Sequence, residues 1–347
     1  MPAKNVTLTQ DIALSLKAHF SEYKPSQIGV VADENTKEHC YPLIKDSLPE
    51  HSVCEIRSGE LNKNLNTCSD IWEWMTTEHF DRKALLINLG GGVIGDMGGF
   101  CAATYKRGIP FINLPTSLLA QVDASVGGKL GIDFQGYKNH IGLFQEPEHV
   151  FVYPHFVKTL PPEEVRSGFG EVIKHSLIRD AAYWPNVKAQ GLEVEDWSKH
   201  IAHSIDIKSS VVDADFREGG LRKILNYGHT IGHAIESYFL ETEKRLLHGE
   251  AIAIGMVAEG MLSAKLCGMP QAEVDEMSRF MLSIYGYHAI NSAEEEAIIK
   301  LTLQDKKNEK GVIKCTLLEE IGKAVYDIDI TAEDVAEGLA YYRQYQQ

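Results

Sequence analysis

The residues Leu86-Ile87-Asn88-Leu89-Gly90-Gly91-Gly92-Val93-Ile94-Gly95-Asp96 carry the strongest fold signal in this chain. An apolar run leads into glycines at positions 90, 92 and 95, the spacing Gly-x-Gly-x-x-Gly, and a helical pattern follows. Glycines at such a turn let the backbone approach a pyrophosphate, and the start of the helix offers N–H groups and a favourable dipole. Glycine-rich turns also serve strand–helix packing alone, but the strand before this turn and the helix after it favour a nucleotide site.

This turn departs from the ordinary dinucleotide-binding pattern in one respect. The acidic residue expected about 20 residues later is absent, because the next predicted strand leads into Pro115-Thr116-Ser117. Acidic candidates for a ribose lie earlier, at Asp33 after the first predicted strand and at Glu60. We therefore expect a dinucleotide pocket that is built differently from the usual one.

Short apolar runs alternate with helical patterns through the first half of the chain. Strands are predicted over 28–32, 53–57, 84–89 and 111–114, and helices over 36–47 and 66–79. Residues 137–139 are expected in a glycine-rich loop. The alternation of strands and helices predicts an α/β domain with a mostly parallel sheet.

Helical periodicity dominates from residue 163 onward. Helices are predicted over 163–178, 195–212, 221–240, 249–266, 271–285 and 332–345, with a late strand over 312–318. The change predicts an α/β dinucleotide-binding domain over residues 1–157 and a mainly α-helical metal- and substrate-binding domain over 158–347. A chain of 347 residues is long enough for both.

The composition argues against several classes of function. A net charge of −15 disfavours nucleic acid or an anionic membrane as a partner. No apolar run is long enough for a transmembrane helix, and the first residues lack the apolar core of a signal peptide. The six cysteines form no Cys-x-x-Cys pair and are typical of reduced thiols. We therefore expect a cytoplasmic globular protein in which an anion-binding site would concentrate basic residues locally.

A second informative stretch runs from Arg222 to His248. Arg222, Asn226, His229 and His233 follow one another at intervals of four, three and four residues, which would place them on one face of an α-helix. Two histidines one turn apart with a third downstream are typical of a divalent-metal site. The alternative, ordinary surface or core histidines, suits a lone His better than such a stripe. A zinc peptidase is excluded, because a threonine stands where its general base would be.

Glu171 and Lys174 lie one turn apart on a predicted helix that is otherwise apolar. Such a pair is usually a surface ion pair worth a few tenths of a kcal/mol, roughly, but Glu171 is also a candidate third metal ligand. Basic residues are concentrated in motif-like segments despite the acidic chain, at Arg107, Lys129, Lys138, Lys174, Lys208, Arg222 and Lys306. An anion with phosphate and carboxylate groups suits such a set.

Six motifs, in order, resemble those of the 3-dehydroquinate synthase family, a branch of the sugar phosphate cyclase superfamily. They are Gly-Gly-Gly-Val-Ile-Gly-Asp (90–96), the segment 115–129, Lys-Asn-His-Ile-Gly (138–142), Gly-Glu-Val-Ile-Lys-His (170–175), the segment 220–233 and Leu-His-Gly-Glu (247–250). The resemblance extends from about Asp33 to Lys307 and so covers nearly the whole chain.

This resemblance implies a cytosolic homodimer of the shikimate pathway, and hence of aromatic amino-acid biosynthesis, that uses NAD and a divalent metal, zinc or cobalt. It implies conversion of 3-deoxy-D-arabino-heptulosonate 7-phosphate into 3-dehydroquinate and phosphate. The steps would be transient oxidation of an alcohol by NAD, elimination of phosphate, return of the hydride, and an intramolecular aldol reaction. Two alternatives stay open, namely another sugar phosphate cyclase of the same fold and a metal- and NAD-dependent polyol dehydrogenase.

Carried over residue by residue, the resemblance implies three sets of site residues. The metal ligands are Glu171, His229 and His248. The NAD-binding set is Asp33, Asn35, Glu60, Lys63, Gly91, Gly92, Val93, Ile94, Gly95, Asp96, Thr116, Ser117, Lys129 and Lys138. The catalytic and substrate-binding set is Arg107, Asp123, Lys129, Asn139, Lys174, Lys208, Arg222, Asn226, His233 and Lys306, or the neighbouring Lys307. In that set His233 would shuttle the hydroxyl proton, and Arg107 would reach the substrate of the partner subunit.

Overall fold

The computed structural model describes residues 5–135, 137–303 and 312–346. The chain divides into two compact units, one formed by Met1–Pro161 with Asp196–Ser210 and the other by Pro162–Glu195 with Val211–Gln347. The segment Asp196–Ser210, which was expected in the second domain, therefore groups with the first unit. The predicted boundary after residue 157, as a boundary between independently folding domains, stays a prediction.

The first unit is built on strands and helices that alternate along the chain. The strands are β1 (Val6–Leu8), β2 (Ile28–Asp33), β3 (Ser52–Ile56), β4 (Leu85–Gly90), β5 (Phe111–Pro115), β6 (Lys129–Phe134), β7 (Tyr137–Phe144) and β8 (His149–Val152). The helices are α1 (Ile12–Glu22), α2 (Glu34–His39), α3 (Leu65–Thr77) and α4 (Gly92–Thr104). Six strands form one sheet in the order β1-β8-β5-β4-β2-β3, and all of its pairs are parallel. The predicted α/β class with a parallel sheet is confirmed.

Both faces of this sheet are covered by apolar clusters. On β2, Val30 and Val31 point to opposite clusters, and on β4 Leu86 and Ile87 do the same. All four are fully buried. Parallel strands that are buried on both faces have continuous apolar sequences rather than alternating ones, which is why the run at 84–89 was recognisable as a strand.

Two sequence-based expectations for the first unit were wrong. The helix expected over 36–47 ends at His39, and two short 3-10 turns, Tyr41–Leu43 and Lys45–Ser47, follow it. A proline at position 42 cannot continue the α-helical hydrogen bonding. The segment expected to be a glycine-rich loop begins strand β7, which pairs with β6 in an antiparallel hairpin. Exposed and half-buried residues alternate along most of β7, with one interruption at Asn139 and His140, and such alternation is typical of an antiparallel strand with one solvated face.

The second unit is mainly helical, as predicted. Its helices are α5 (Pro162–Arg179), α6 (Trp184–Gln190), α8 (His229–Phe239), α9 (His248–Cys267), α10 (Gln271–Tyr285), α11 (Ser292–Leu303) and α12 (Ala332–Arg343), and α7 (Ser198–Ala214) lies largely in the first unit. A hairpin of β9 (Ile313–Glu320) and β10 (Lys323–Ile330) completes the unit. Within the described ranges, no helix combines the length and the apolar character that crossing a membrane requires.

The single helix expected over 221–240 is broken in two. A 3-10 helix covers Leu221–Asn226, and α8 starts only at His229. Gly228 lies between them with φ 80°, a left-handed conformation that favours glycine. A Cβ atom at Gly228 would lie 2.3 Å from Cγ of Met256, so the break also accompanies a close approach to α9. Arg222 and Asn226 therefore do not continue the helical face of His229 and His233.

Candidate functional site

The glycine turn has the strand–turn–helix geometry that its sequence predicts. Strand β4 ends at Gly90 and helix α4 begins at Gly92. Its N-cap residue, Gly91, makes no side-chain cap hydrogen bond to the first N–H groups of the helix. A Cβ atom built on Gly95 would meet nothing within 4 Å, so the backbone is open there. A small pocket is lined by the turn together with Asn88, Asn113, Pro115, Ala120, Ala124 and Ser125. This geometry suits a pyrophosphate at a helix N-terminus.

Two of the residues that were predicted to bind NAD, Thr116 and Ser117, lie next to the turn. Gly90 pairs with Pro115, and the N–H of Thr116 donates to the carbonyl of Gly90 at 3.0 Å. Oγ of Ser117 lies 3.3 Å from a Cβ atom built on Gly91. Thr116 and Ser117 directly follow β5, and they border the turn because β5 pairs with β4.

Asp33 has a structural role at the start of helix α2. It is the N-cap of α2, and its Oδ1 atom accepts a hydrogen bond from the N–H of Thr36 at 2.8 Å. Burial raises the pKa of Asp33, although the bonds from Thr36 oppose that shift. Asn35 is an exposed residue of the same helix. Their predicted contact with a ribose stays a prediction.

Lys63 joins two residues from different predicted sets. Its Nζ atom lies 2.7 Å from Oδ2 of Asp96 and 2.6 Å from Oδ1 of Asn139. Burial disfavours the charge of Lys63, but Asp96 and Glu60 outweigh it and raise the pKa of this ammonium. Asn139 has φ 49°, and its N–H donates to Oδ1 of Asp133 at 2.7 Å. The network therefore fixes the position of Asn139 relative to helix α4.

Two further ion pairs in the first unit join residues that were predicted to bind NAD or substrate. Lys138 lies 3.0 Å from Oε1 of Glu60. Lys208, on α7, lies 2.9 Å from Oδ2 of Asp123 and donates to the Asp123 carbonyl at 2.6 Å. Lys129 is the exposed first residue of β6, directly after two glycines with positive φ.

Arg107, which was predicted to bind substrate, lies beyond the end of helix α4. The helix ends at Thr104, and Arg107 closes a following 3-10 turn in which Lys106 and Arg107 both have positive φ. Arg107 is exposed. The dipole of α4 therefore has little effect on Arg107, since that effect falls off within the last turn of a helix.

In the second unit, the three residues predicted to bind metal converge. Oε1 of Glu171, on α5, lies 3.5 Å from Nε2 of His229 and 3.4 Å from Nε2 of His248. Zinc bonds of about 2.0 to 2.2 Å in a tetrahedron require ligand atoms roughly 3.3 to 3.6 Å apart. The separation of Glu171 from each imidazole therefore fits a divalent metal, and three protein ligands would leave a coordination position for a substrate or water.

Outer partners orient both imidazoles toward Glu171. Nδ1 of His229 lies 3.0 Å from the carbonyl of Tyr227, which can only accept, so Nδ1 carries the proton and Nε2 presents its lone pair. Nδ1 of His248 lies 3.1 Å from Oε2 of Glu236. Such second partners fix the tautomer and the orientation of metal-binding histidines. Glu236 was not identified from the sequence, and its place seven residues after His229 on an amphipathic helix was the only available signal.

The pKa values of the two candidate ligand histidines are shifted in opposite directions. Burial, together with the positive charge of Lys174, lowers the pKa of His229 to about 3. Burial also opposes the charge of His248, but Glu236 and Glu171 outweigh it and raise the pKa of that imidazole to about 9. The carboxylates thus favour positive charge where His248 lies, as they would for a bound cation.

Lys174 and His233 lie beside these candidate ligands. Lys174 is buried and pairs with Oε2 of Glu171, the oxygen that does not face the histidines. The pair is therefore not the exposed one that its spacing alone would suggest. The ring of His233 lies 4.9 Å from that of His229 and 5.7 Å from that of His248, measured between centroids. The nitrogens of the three histidines also form a candidate cluster within 4.8 Å of one another.

The remaining predicted donors of the second unit lie on the 3-10 segment. Arg222 is buried; its Nη1 atom donates to the Phe216 carbonyl at 2.5 Å, and its backbone N–H donates to Asp215. Asn226 donates to Oε1 of Glu218 at 2.7 Å. The predicted residues Lys306 and Lys307 lie outside the described residues.

Comparisons with known proteins identify the family of this chain. Residues 53–167 match the family model of the 3-dehydroquinate synthase N-terminal domain, and residues 168–308 match that of the C-terminal domain. A 3-dehydroquinate synthase from Parabacteroides distasonis is 38% identical, with 99% of each chain covered. One from Campylobacter concisus is 42% identical, over 96% of this chain and 99% of that one.

A solved structure shows the same fold at lower identity. It is a 2-epi-5-epi-valiolone synthase from Streptomyces hygroscopicus with NAD+ and Zn2+ bound. The TM-score is 0.87 at 22% identity, covering 98% of this chain and 96% of that chain. At this identity the likeness concerns the fold alone, whereas the full-length relatives and both family models agree on one activity. This chain belongs to the 3-dehydroquinate synthase family.

Proposed function

We propose that this protein converts 3-deoxy-D-arabino-heptulosonate 7-phosphate into 3-dehydroquinate and phosphate, as a lyase that depends on NAD and a divalent metal. The observation that carries the metal dependence is the placing of Oε1 of Glu171 at 3.5 and 3.4 Å from the two Nε2 atoms of His229 and His248. Membership of the 3-dehydroquinate synthase family supports the choice of the heptulosonate phosphate as substrate. The NAD+ and Zn2+ in the related cyclase structure support the choice of both cofactors.

In this proposal, NAD would bind at the glycine turn and Glu171, His229 and His248 would hold the metal. Bound NAD supplies a hydride acceptor and donor, and a bound divalent metal supplies Lewis acidity toward a substrate hydroxyl. The open N-terminus of α4 would hold the pyrophosphate. Thr116 and Ser117 border that turn and would contact the same cofactor.

The chain's own residues near the metal ligands have distinct proposed tasks. Lys174 holds the outer oxygen of Glu171, and its charge offsets part of the carboxylate's charge. His233, whose ring faces both ligand histidines, would take up and return the proton of the substrate hydroxyl, since imidazole suits such transfer near neutral pH. Arg222 and Asn226 would donate to anionic or hydroxyl groups of the substrate.

Two alternatives have the same fold but differ in products. Another sugar phosphate cyclase would release phosphate and make a different carbocycle. A polyol dehydrogenase would release NADH in proportion to product. Identity of 38% and 42% to full-length 3-dehydroquinate synthases favours the proposed reaction over both. A cytoplasmic homodimer is the expected form of the enzyme.

The test is incubation of the purified protein with the heptulosonate phosphate, NAD and zinc or cobalt, followed by NMR of product and phosphate. We expect one phosphate per 3-dehydroquinate and no accumulation of NADH absorbance. One NADH per turnover would identify a dehydrogenase, and a different carbocycle would identify another cyclase. A Glu171→Gln variant, which keeps the size of the side chain but loses its charge, is the matched control and should be inactive.

A further inference from the structure

We infer that Glu259 is a positioning residue for the metal site, because it holds the start of the helix that carries His229. This inference rests on the proposed function, which assigns Glu171, His229 and His248 to the metal. Glu259 lies on α9, thirty residues beyond the ligand that it would position. Glu259 lies outside all six motifs that resemble the family.

The start of α8 lacks a cap of its own. His229 is the first residue of the helix, and the N-cap, Gly228, makes no side-chain cap hydrogen bond. An α-helix leaves its first four N–H groups without partners inside the helix. Gly228 and Ile231 are both buried, and buried N–H groups require an acceptor from elsewhere.

Glu259 supplies that acceptor. The N–H of Gly228 donates to its Oε2 atom at 2.5 Å, and the N–H of Ile231 donates to its Oε1 atom at 3.0 Å. The two donors flank His229 in the chain. Burial raises the pKa of this fully buried carboxyl to about 8, although both amides favour its charged form. A carboxylate at this end of a helix is also stabilised by the helix dipole.

Helix α9, on which Glu259 lies, also carries the proposed metal ligand His248 as its first residue. Close packing joins α9 to the start of α8: a Cβ atom at Gly255 would lie only 2.1 Å from the Gly228 carbonyl oxygen. The hydroxyl of Tyr227 donates to the carbonyl of Met256 at 3.0 Å. Since α9 thus holds one ligand directly and the other through the cap, loss of the cap should move His229 relative to His248.

Binding of Co2+ to the metal-free protein tests this inference without relying on activity. The visible spectrum of bound Co2+ reports ligand geometry, and titration gives its affinity. In Glu259→Gln, an amide NH2 replaces one acceptor and faces a backbone donor. We expect affinity about 10- to 100-fold weaker, the range typical when an outer partner of a metal site is lost, together with an altered spectrum.

Asp334→Asn is the matched control. Oδ2 of Asp334 accepts from the N–H of Thr331 at the start of α12, and Asp334 also pairs with Lys265 of α9. It is therefore another carboxylate that caps a helix and contacts α9, but the helix that it caps carries no proposed ligand. The control should lose thermal stability and still bind Co2+ with wild-type affinity and spectrum.

The outcomes separate this inference from the proposed function. Wild-type Co2+ binding by a destabilised Glu259→Gln would overturn the inference and leave the proposed metal site standing. Failure of the wild type to bind Co2+ would overturn both. If Glu259→Gln does not fold, Glu259→Asp, which keeps the carboxyl group but is one methylene shorter, is judged by the same two measurements.

Discussion

The Nδ1 atom of His248 lies 3.1 Å from Oε2 of Glu236, while its Nε2 atom lies 3.4 Å from Glu171. The imidazole is thus held between two carboxylates, one in the proposed metal site and one behind it. Replacing Glu236 by alanine should weaken metal binding by about 10- to 100-fold. Glu236→Gln should have a smaller effect, because its carbonyl oxygen can still accept from Nδ1. Equal affinities for wild type and Glu236→Ala, measured by Co2+ titration, would show that this contact does not orient the ligand.

Metal affinity should rise with pH because of His248. Because its pKa is raised to about 9, both ring nitrogens of His248 are protonated at neutral pH in the metal-free protein. A metal that binds Nε2 must displace one of these protons. His229, with a pKa lowered to about 3, is neutral in that range, and its Nε2 atom carries no proton that a metal would displace. One displaced proton predicts about tenfold tighter binding per pH unit below about pH 9. Calorimetric titration in several buffers counts the protons, and a release of two would contradict this assignment.

The ligand set can be separated from the neighbouring His233 by substitution. Glu171→Gln, His229→Ala and His248→Ala should each lose stoichiometric zinc, because each removes a ligand atom. His233→Ala should keep its zinc but lose turnover by about 10²- to 10⁴-fold, the usual contribution of a general acid–base group. Metal analysis and rates on the same samples decide this. Loss of zinc from His233→Ala would instead favour the three-histidine cluster.

Lys63 should be important for stability as well as for any contact with NAD. Replacing it by methionine leaves Asp96 without its ion partner at 2.7 Å, and breaking a buried pair typically costs about 3 to 5 kcal/mol. Lys37→Met is the control, since Lys37 and Glu55 are about half exposed and such pairs contribute about 0 to 1 kcal/mol. Denaturant unfolding measures both. The double variant with Asp96→Asn should recover part of the loss, and strict additivity would argue against coupling.

Arg107 is expected to bind the substrate phosphate of the partner subunit, at about 2 to 4 kcal/mol of transition-state stabilisation. If so, mixing inactive Arg107→Ala with inactive Glu171→Ala should restore activity, because half of the dimers contain one intact site. Random exchange predicts about a quarter of wild-type activity. A mixture of Glu171→Ala with His248→Ala, whose defects lie in one chain's site, should stay inactive. No recovery in the first mixture after verified subunit exchange would place Arg107 in its own chain's site or outside any site.

Elements with a strong local signal were predictable from the sequence. The run before the glycines became β4 and the residues after them α4, because apolar residues buried on both sheet faces and a glycine turn are local features. Helix α10 has the predicted bounds, Gln271–Tyr285. The motif residues Glu171, His229 and His248 were named from family resemblance, and the structure brings their ligand atoms together.

Other features depend on contacts between distant segments. The periodicity of 221–240 fits one helix, yet the chain breaks at Gly228, where the backbone packs against Met256 and Ile252 of α9. Likewise, hairpin β6–β7 depends on cross-strand pairing that a glycine-rich composition does not reveal.

The sequence by itself determined the α/β class and the strand–turn–helix around the glycines, because propensity, periodicity and motif spacing are properties of neighbouring residues. The candidate metal ligands were named from the motifs that resemble the family. Only the tertiary structure decided which carboxylates form hydrogen bonds with the candidate ligand histidines or with the amides beside them. Glu236 and Glu259 appear in the sequence as acidic residues on largely apolar helices. Their partners, His248 and the amides beside His229, become apparent only when α8 and α9 pack together. A buried carboxylate requires a hydrogen-bond or ion partner, and the choice of that partner depends on packing rather than on position in the chain.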